Sequence, residues 1–163
     1  MMKKIKLTKG KYAIVDDDDF DFISQRPWCF HNQGYAVSNK IINGTQRTFW
    51  MHRIINKTPK GKPTDHINGN KLDNRKENLR TCSCSENRQN RKISKDNTSG
   101  FKGVHVSKLK YKNKMYRYII ANICAGGKIK YLGSFSNLKD AAIAYNKAAT
   151  KLHGKFARLN PIL

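Results

Sequence analysis

From Ile5 to about Asn39 the apolar residues come in short runs broken by turn formers, a pattern that predicts strands. Ile5-Lys6-Leu7 and Tyr12-Ala13-Ile14-Val15 flank Lys9-Gly10, and Trp28-Cys29-Phe30 and Tyr35-Ala36-Val37 flank Asn32-Gln33-Gly34, so two hairpins are expected. Between them, Asp16 to Gln25 suits a short helix. Its acidic run, Asp16 to Asp19, reads as a cap and solvated end, since carboxylates favour the positive pole of a helix. An apolar segment around Met51-His52-Arg53-Ile54-Ile55 follows, and Pro59 and Pro63 then bar a continuing helix. Thr64 to Lys92 reads as strand, long polar loop, strand and helix, with Ser83 and Glu86 placed for a capping box.

Residues 93–100 have linker composition. Beyond them, alternation over Lys102–Ser107, Met115–Cys124 and Lys128–Phe135 predicts three strands, with turns near Lys110–Asn113 and at Gly126-Gly127. An alanine-rich helix from about Leu138 to Leu152, stopped by His153-Gly154, covers them. The expected class is α+β. A β-rich region and a strand–strand–helix core fill residues 1–92, with the core at about 50–92, and a three-stranded antiparallel sheet on one helix occupies 101–163.

Charge narrows the function. The 163 residues hold 33 Lys and Arg against 11 Asp and Glu, a net charge of +22. Five of the acids and five lysines cancel within the first 21 positions, so nearly all the excess lies beyond. A polyanionic partner follows, because each phosphate neutralised by a basic side chain releases condensed counterions. No apolar run is long enough for a bilayer and no signal-type segment follows Met1-Met2-Lys3-Lys4, so the expected location is the cytoplasm of a bacterial or phage-infected cell. The four cysteines, Cys29, Cys82, Cys84 and Cys124, lack zinc-knuckle spacing; Cys82-x-Cys84 is expected to end a strand with one thiol on each face, and structural zinc is not expected.

One stretch concentrates the chemistry: Asp65-His66-Ile67-Asn68-Gly69-Asn70-Lys71-Leu72-Asp73-Asn74, then Asn78 in Glu77-Asn78-Leu79-Arg80 and Asn87 in Glu86-Asn87-Arg88. Phosphodiester hydrolysis needs a deprotonated water in line with the bond and charge stabilisation on the phosphate and departing oxygen. His66, with an ordinary pKa near ~6.5, can take that proton at neutral pH. Asp65 and Asn87 offer hard oxygens suited to one Mg²⁺ or Mn²⁺. Asn87 competes with Asn90, one helical turn later. Asn68, Gly69, Asn70, Asp73 and Asn74 read as loop formers, and His52 as packing or hydrogen bonding beside the site.

These residues resemble the motif of HNH homing endonucleases of the phage and intron type, whose core is a ββα-metal fold. The resemblance implies Asp65 and Asn87 as metal ligands, His66 as general base, and Asn78 as the residue that orients His66 through a hydrogen bond. Residues from about Ser99 to Asn160 resemble the DNA-binding domain of plant ethylene-response factors, through Gly100-Phe101-Lys102-Gly103-Val104, Tyr131-Leu132-Gly133-Ser134-Phe135, Ala141-Ala142-Ile143-Ala144-Tyr145-Asn146 and the segment from Gly154 to Asn160. That likeness implies a sheet that reads duplex DNA from the face away from its helix, with Lys102, His105, Asn122, Lys130 and Tyr131 projecting there. His105 stands where that family has arginine, and Asn122 and Cys124 replace a basic pair. Arg88, Arg91 and Lys92 are expected to clamp the backbone beside the cut. The expected function is a metal-dependent DNA endonuclease of the homing kind acting on double-stranded DNA, with no membrane role and no obligate protein partner; the alternative is a non-catalytic sequence-specific DNA binder on a degenerate nuclease fold. An RNA-binding role is disfavoured by the absence of an RNA-recognition aromatic signature.

Overall fold

The computed structural model describes residues 1–162, a mixed α/β chain with four small antiparallel sheets and four α-helices among them. It divides into two compact units, 1–87 and 88 onward.

In the first unit, β1 (Met2–Lys6) pairs with β2 (Tyr12–Asp16), placing Ile5 opposite Ala13 and Lys3 opposite Val15. Helix α1 (Asp17–Ser24) follows directly. Asp16 stands at its N-cap position but makes no side-chain capping bond, contrary to the capping expectation. Its Oδ2 instead accepts from the Lys76 amide at 2.8 Å, while Asp19 pairs with the Lys76 ammonium at 2.9 Å. The acidic run thus ties down a distant loop.

A three-stranded sheet comes next, β3 (Cys29–Phe30), β4 (Ala36–Ile42) and β5 (Thr45–Trp50) in sequential order. The β4–β5 hairpin was not anticipated. Its signal is Asn43-Gly44, both at positive φ (50° and 71°), which matches the right-handed twist of the flanking strands. Helix α2 (Met51–Ile55), β6 (Thr64–His66), β7 (Leu79–Thr81) and α3 (Cys84–Gln89) complete the order. Ile5, Val15, Ile23, Trp28, Met51 and Leu79 meet in one core, each buried side chain contributing about 1.5–3 kcal/mol of transfer free energy. The capping box at α3 is formed: the Glu86 amide donates to Ser83 Oγ at 3.2 Å and the Ser83 amide to Glu86 Oε2 at 2.7 Å.

The Cys82-x-Cys84 expectation fails. The strand stops at Thr81, because Ser83 starts the helix; Cys82 is buried with its thiol 3.7 Å from the Pro63 carbonyl, and Cys84 is exposed on α3.

In the second unit, β8 (Val104–Tyr111), β9 (Lys114–Ala125) and β10 (Lys128–Phe135) form a sheet in the order β10-β9-β8, and α4 (Leu138–His153) covers one face. Val104, Ala121, Ala141 and Ala142 are packed together, as are Ile123, Tyr145 and Ala149. Gly103 explains why its motif needs glycine: φ is +73°, and a Cβ there would lie 2.1 Å from the Tyr145 ring and 2.6 Å from the Asn122 carbonyl. Residues 97–101 form a bonded turn, in which Ser99 Oγ donates to the Val104 carbonyl at 2.7 Å and Asn97 Nδ2 to the Phe101 carbonyl at 3.1 Å. No helix among the described residues is long and apolar enough to cross a membrane.

Candidate functional site

Strands β6 and β7 pair Asp65 with Arg80 and His66 with Leu79, and directly opposed residues share a face. Arg80 therefore reaches Asp65 Oδ2 with Nε at 2.9 Å and Nη2 at 2.7 Å, an almost buried pair that fixes the carboxylate. His66, one residue on, points to the other face.

The loop between these strands is held by its own asparagines. Asn78 Oδ1 accepts from the Asn68 amide at 2.9 Å and Asn78 Nδ2 donates to the Asp73 carbonyl at 2.7 Å. Asn68 Nδ2 donates to Asp73 Oδ2 at 2.9 Å, and Arg75 forks onto the same carboxylate with two bonds of 2.8 Å. That salt bridge, with Asn68, holds the Asp73 carboxyl below its usual range. The loop also docks on β2: the Ile14 amide donates to the Leu72 carbonyl and the Asn74 amide to the Ile14 carbonyl, both at 2.8 Å.

Asn78, expected to orient His66, thus spends both ends of its amide on loop backbone. Asn74 stands next to the histidine. Fully buried, it donates from Nδ2 to the Leu72 carbonyl at 3.2 Å, which turns Oδ1 towards His66 Nε2 at 3.4 Å. A carbonyl oxygen can only accept, so Nε2 carries the proton and Nδ1 carries the lone pair. Burial pushes the His66 pKa below its ordinary value, opposed by Asn74, Asp65 and Asp73 and assisted by the Lys71 cation. His66 is neutral at pH 7.

A ring cluster closes around it, in which His52 packs beside the site as expected and Tyr35 is the member that sequence reading missed. Tyr35 lies 5.9 Å and His52 5.2 Å from His66 between ring centroids, and Tyr35 and His52 are 4.9 Å apart. His52 is 7% exposed, its Nδ1 is buried without a hydrogen-bond partner, and burial first, then the neighbouring His66, pushes its pKa down to about 3. It packs as a neutral ring. Lys71 Nζ donates to the Gln33 carbonyl at 2.8 Å and lies 4.5 Å from the Tyr35 ring centroid. Tyr35 precedes His52, His66 and Lys71 by 17, 31 and 36 positions, and the β4–β5 hairpin and α2 lie between it and them; the available signal was the unread Asn43-Gly44 turn.

Asn87 is half-buried on α3, its amide bonded to the Ser83 carbonyl at 3.0 Å. Asn90 lies past the last residue of α3 and is buried, so the helical spacing that made it a rival ligand does not extend to it. Arg88, Arg91 and Lys92 are exposed.

In the second unit the expected reading face splits. His105 is opposite Ile120 and Asn122 opposite Tyr131, all on the side away from α4. Asn122 Oδ1 is buried there without a hydrogen-bond partner, and Tyr131 is exposed with its hydroxyl 2.9 Å from Ser134 Oγ. Lys130 is opposite Ile123, which packs on α4, so it belongs to the helix side; adjacent strand residues point to opposite faces and cannot both read one surface. Lys102 does not project either. Its ammonium is bonded to the Gln89 carbonyl and, at 2.9 Å, the Arg91 carbonyl, and burial with Arg158 and Arg91 nearby lowers its pKa to about 8.

Comparison with known proteins meets this geometry at the same residues. Residues 49–89, from the end of β5 through α3, match the HNH endonuclease family. An uncharacterized HNH endonuclease of Acanthamoeba polyphaga mimivirus is 31% identical over 156 residues, covering 94% of this chain and 77% of that protein. Protein 3.8 of Escherichia phage T7 is 40% identical over 100 residues, 61% of this chain and 77% of its own length. No solved structure gives a match. With the paired strands, the asparagine-braced loop, the buried neutral histidine and a relative matched over nearly the whole chain, the protein belongs to the HNH endonuclease family, nucleases that act on DNA.

Proposed function

We propose that the protein is a metal-dependent endonuclease of the homing kind that hydrolyses phosphodiester bonds in duplex DNA, with His66 as its general base. The observation that carries this reading is the state of His66: neutral through burial, and fixed by Asn74 in the tautomer with its lone pair on Nδ1. His66 Nδ1 takes a proton from water as the water oxygen bonds to phosphorus and the bond to the 3′ oxygen breaks; the departing oxygen takes a proton from a second, solvent water, leaving a 5′ phosphate and a 3′ hydroxyl. A base already neutral at pH 7 needs no prior loss of a proton.

The donor set fits a hard divalent cation. Asp65 brings an anionic carboxylate whose orientation is fixed by Arg80 through Oδ2. Asn87 brings an amide oxygen from the following helix, α3. Two protein oxygens would leave most of the coordination sphere to water, an arrangement that suits a hard cation keeping several waters. Asp65 and Asn87 would hold Mg²⁺ or Mn²⁺, which when bound supplies positive charge against the phosphate and the departing oxygen. Asn78 and Asn68 keep the loop closed so that His66 and Asn74 stay in register.

The second unit, by its likeness to the ethylene-response-factor domain, supplies DNA affinity, with His105, Asn122 and Tyr131 on one sheet face. The test is incubation of the full chain with supercoiled plasmid and Mg²⁺ or Mn²⁺, with chelator as control. Nicking or linearisation by wild type but not by His66→Ala is the expected result. Intact plasmid together with tight duplex binding would instead identify a DNA-binding protein on a nuclease fold.

A further inference from the structure

Strand β10 pairs with β9 only over Ile119–Ala125, whereas β8 and β9 pair on to their turn, so residues 107–118 form a two-stranded ribbon beyond the three-stranded sheet. Every residue from 108 to 118 is exposed. The register sorts its faces. Lys108 stands opposite Arg117 and Lys110 opposite Met115, while Leu109 is opposite Tyr116 on the other side. The turn at Lys112-Asn113 adds another cation, and both residues hold positive φ (45° and 60°), the tight geometry that keeps such a ribbon in register.

Two features of this ribbon are costly for a free protein. Like charges directly opposed across strands, as at Lys108 and Arg117, are destabilising, and no Asp or Glu occurs between Asp96 and Asp140 to compensate. Tyr116 and Tyr118 are each 41% exposed and Tyr111 56%. A two-stranded ribbon with both faces in water has little to hold it. A polyanion would offset the charge, and a major groove about 12 Å wide admits a two-stranded β-ribbon.

We propose that the β8–β9 ribbon is a docking arm for duplex DNA, lying along the major groove with Lys108, Lys110 and Arg117 of one side, Lys112 at the turn and Lys114, opposite Tyr111 on the tyrosine side, all reaching phosphates at the groove edges, and the tyrosines against sugars and bases. The tyrosine side of the arm continues the sheet face of His105 and Asn122, the Lys108 and Arg117 side is its opposite face, and the phosphate contacts are independent of sequence. It rests on the reading of the protein as a DNA nuclease for the choice of polyanion.

The test compares full-length variants on a 30-base-pair duplex in chelator, by fluorescence anisotropy over a salt series. Replacing Lys108, Lys110, Lys112 and Lys114 with Gln should flatten the slope of log K against log salt by about 3–4 and weaken binding on the order of 10²–10³-fold near physiological salt, since each phosphate contact contributes about 0.9 to the slope. A second quartet with the same charge change, Lys139, Lys147, Lys151 and Lys155 to Gln, should alter the slope by less than about 1. Changing the ribbon quartet to Arg should restore wild-type binding, which separates lost charge from lost fold. Equal effects of the two Gln quartets would overturn the arm. So would ribbon-dependent binding of equal strength to duplex RNA, whose deep, narrow major groove excludes side chains. Plasmid cleavage by wild type, measured separately, shows whether the nuclease reading stands whatever the ribbon does.

Discussion

Acid should destabilise the first unit through His52. In the folded chain this ring is 7% exposed, its Nδ1 has no hydrogen-bond partner, and its pKa lies at about 3, against 6.5 in the unfolded chain. Between those values the unfolded state binds a proton that the folded state refuses, so stability falls as pH drops below about 6.5. At pH 5 the difference is about 1.5 pH units, or about 2 kcal/mol, as an upper figure that local relaxation reduces. Most carboxylates stay ionised at pH 5, so the contribution can be isolated. Urea unfolding of wild type and His52→Phe at pH 7.5 and pH 5 would be followed by tryptophan fluorescence, with Trp50 reporting 5.9 Å from His52. We predict that wild type loses about 1–2 kcal/mol more than the variant over that interval, whatever their relative stabilities at pH 7.5. Identical losses would show that His52 is protonated in the folded protein and that the ring cluster accommodates a charge.

Other expectations can be checked directly. His66→Ala should lower single-turnover plasmid cleavage by about 10²–10⁴-fold with duplex affinity within a few-fold, the range for a lost general base; a wild-type rate refutes its role. Lys71→Met removes a cation that disfavours protonated His66, so the acid limb of the cleavage pH–rate profile should move to higher pH, and a fixed limb would place Lys71 outside the site. Arg80→Ala leaves the Asp65 carboxylate buried without its partner and should cost about 3–5 kcal/mol in urea unfolding; a cost under about 1 kcal/mol would mean that the pair is loosely solvated. Asn87→Ala should raise the Mg²⁺ concentration needed for half-maximal cleavage more than Asn90→Ala does, and the reverse order would transfer the ligand role to Asn90.

Much of this architecture was legible from period and punctuation. The first hairpin, α1, the capping box at Ser83 and the final sheet and helix follow from short-range rules, because the deciding contacts lie within a few residues. Asn74 was not legible. In a stretch with four other asparagines its side chain looks like one more turn former, and only the docking of the loop on Ile14 buries it against His66. The place of His52 beside the site was read, but Tyr35 was hidden for the same reason as Asn74: its approach depends on pairing across a hairpin, not on spacing. The assignment of Lys130 failed on a rule the sequence did contain, since a period of two separates it from Tyr131.

The docking of the loop on β2 bears on how this nuclease can be cut and pasted. The stretch that matches the family, residues 49–89, holds every proposed catalytic group, yet the loop that aims His66 is anchored by Ile14 and Asp16, more than thirty residues before it begins. The motif is therefore not a self-sufficient cassette. Transplanted into another scaffold it would carry the reagents and leave behind the template that sets their angle. In a shuffling genome, an exchange point between residues 16 and 49 would inherit the signature of the family without its activity, unless the new neighbour offered an exposed strand edge at the place of β2.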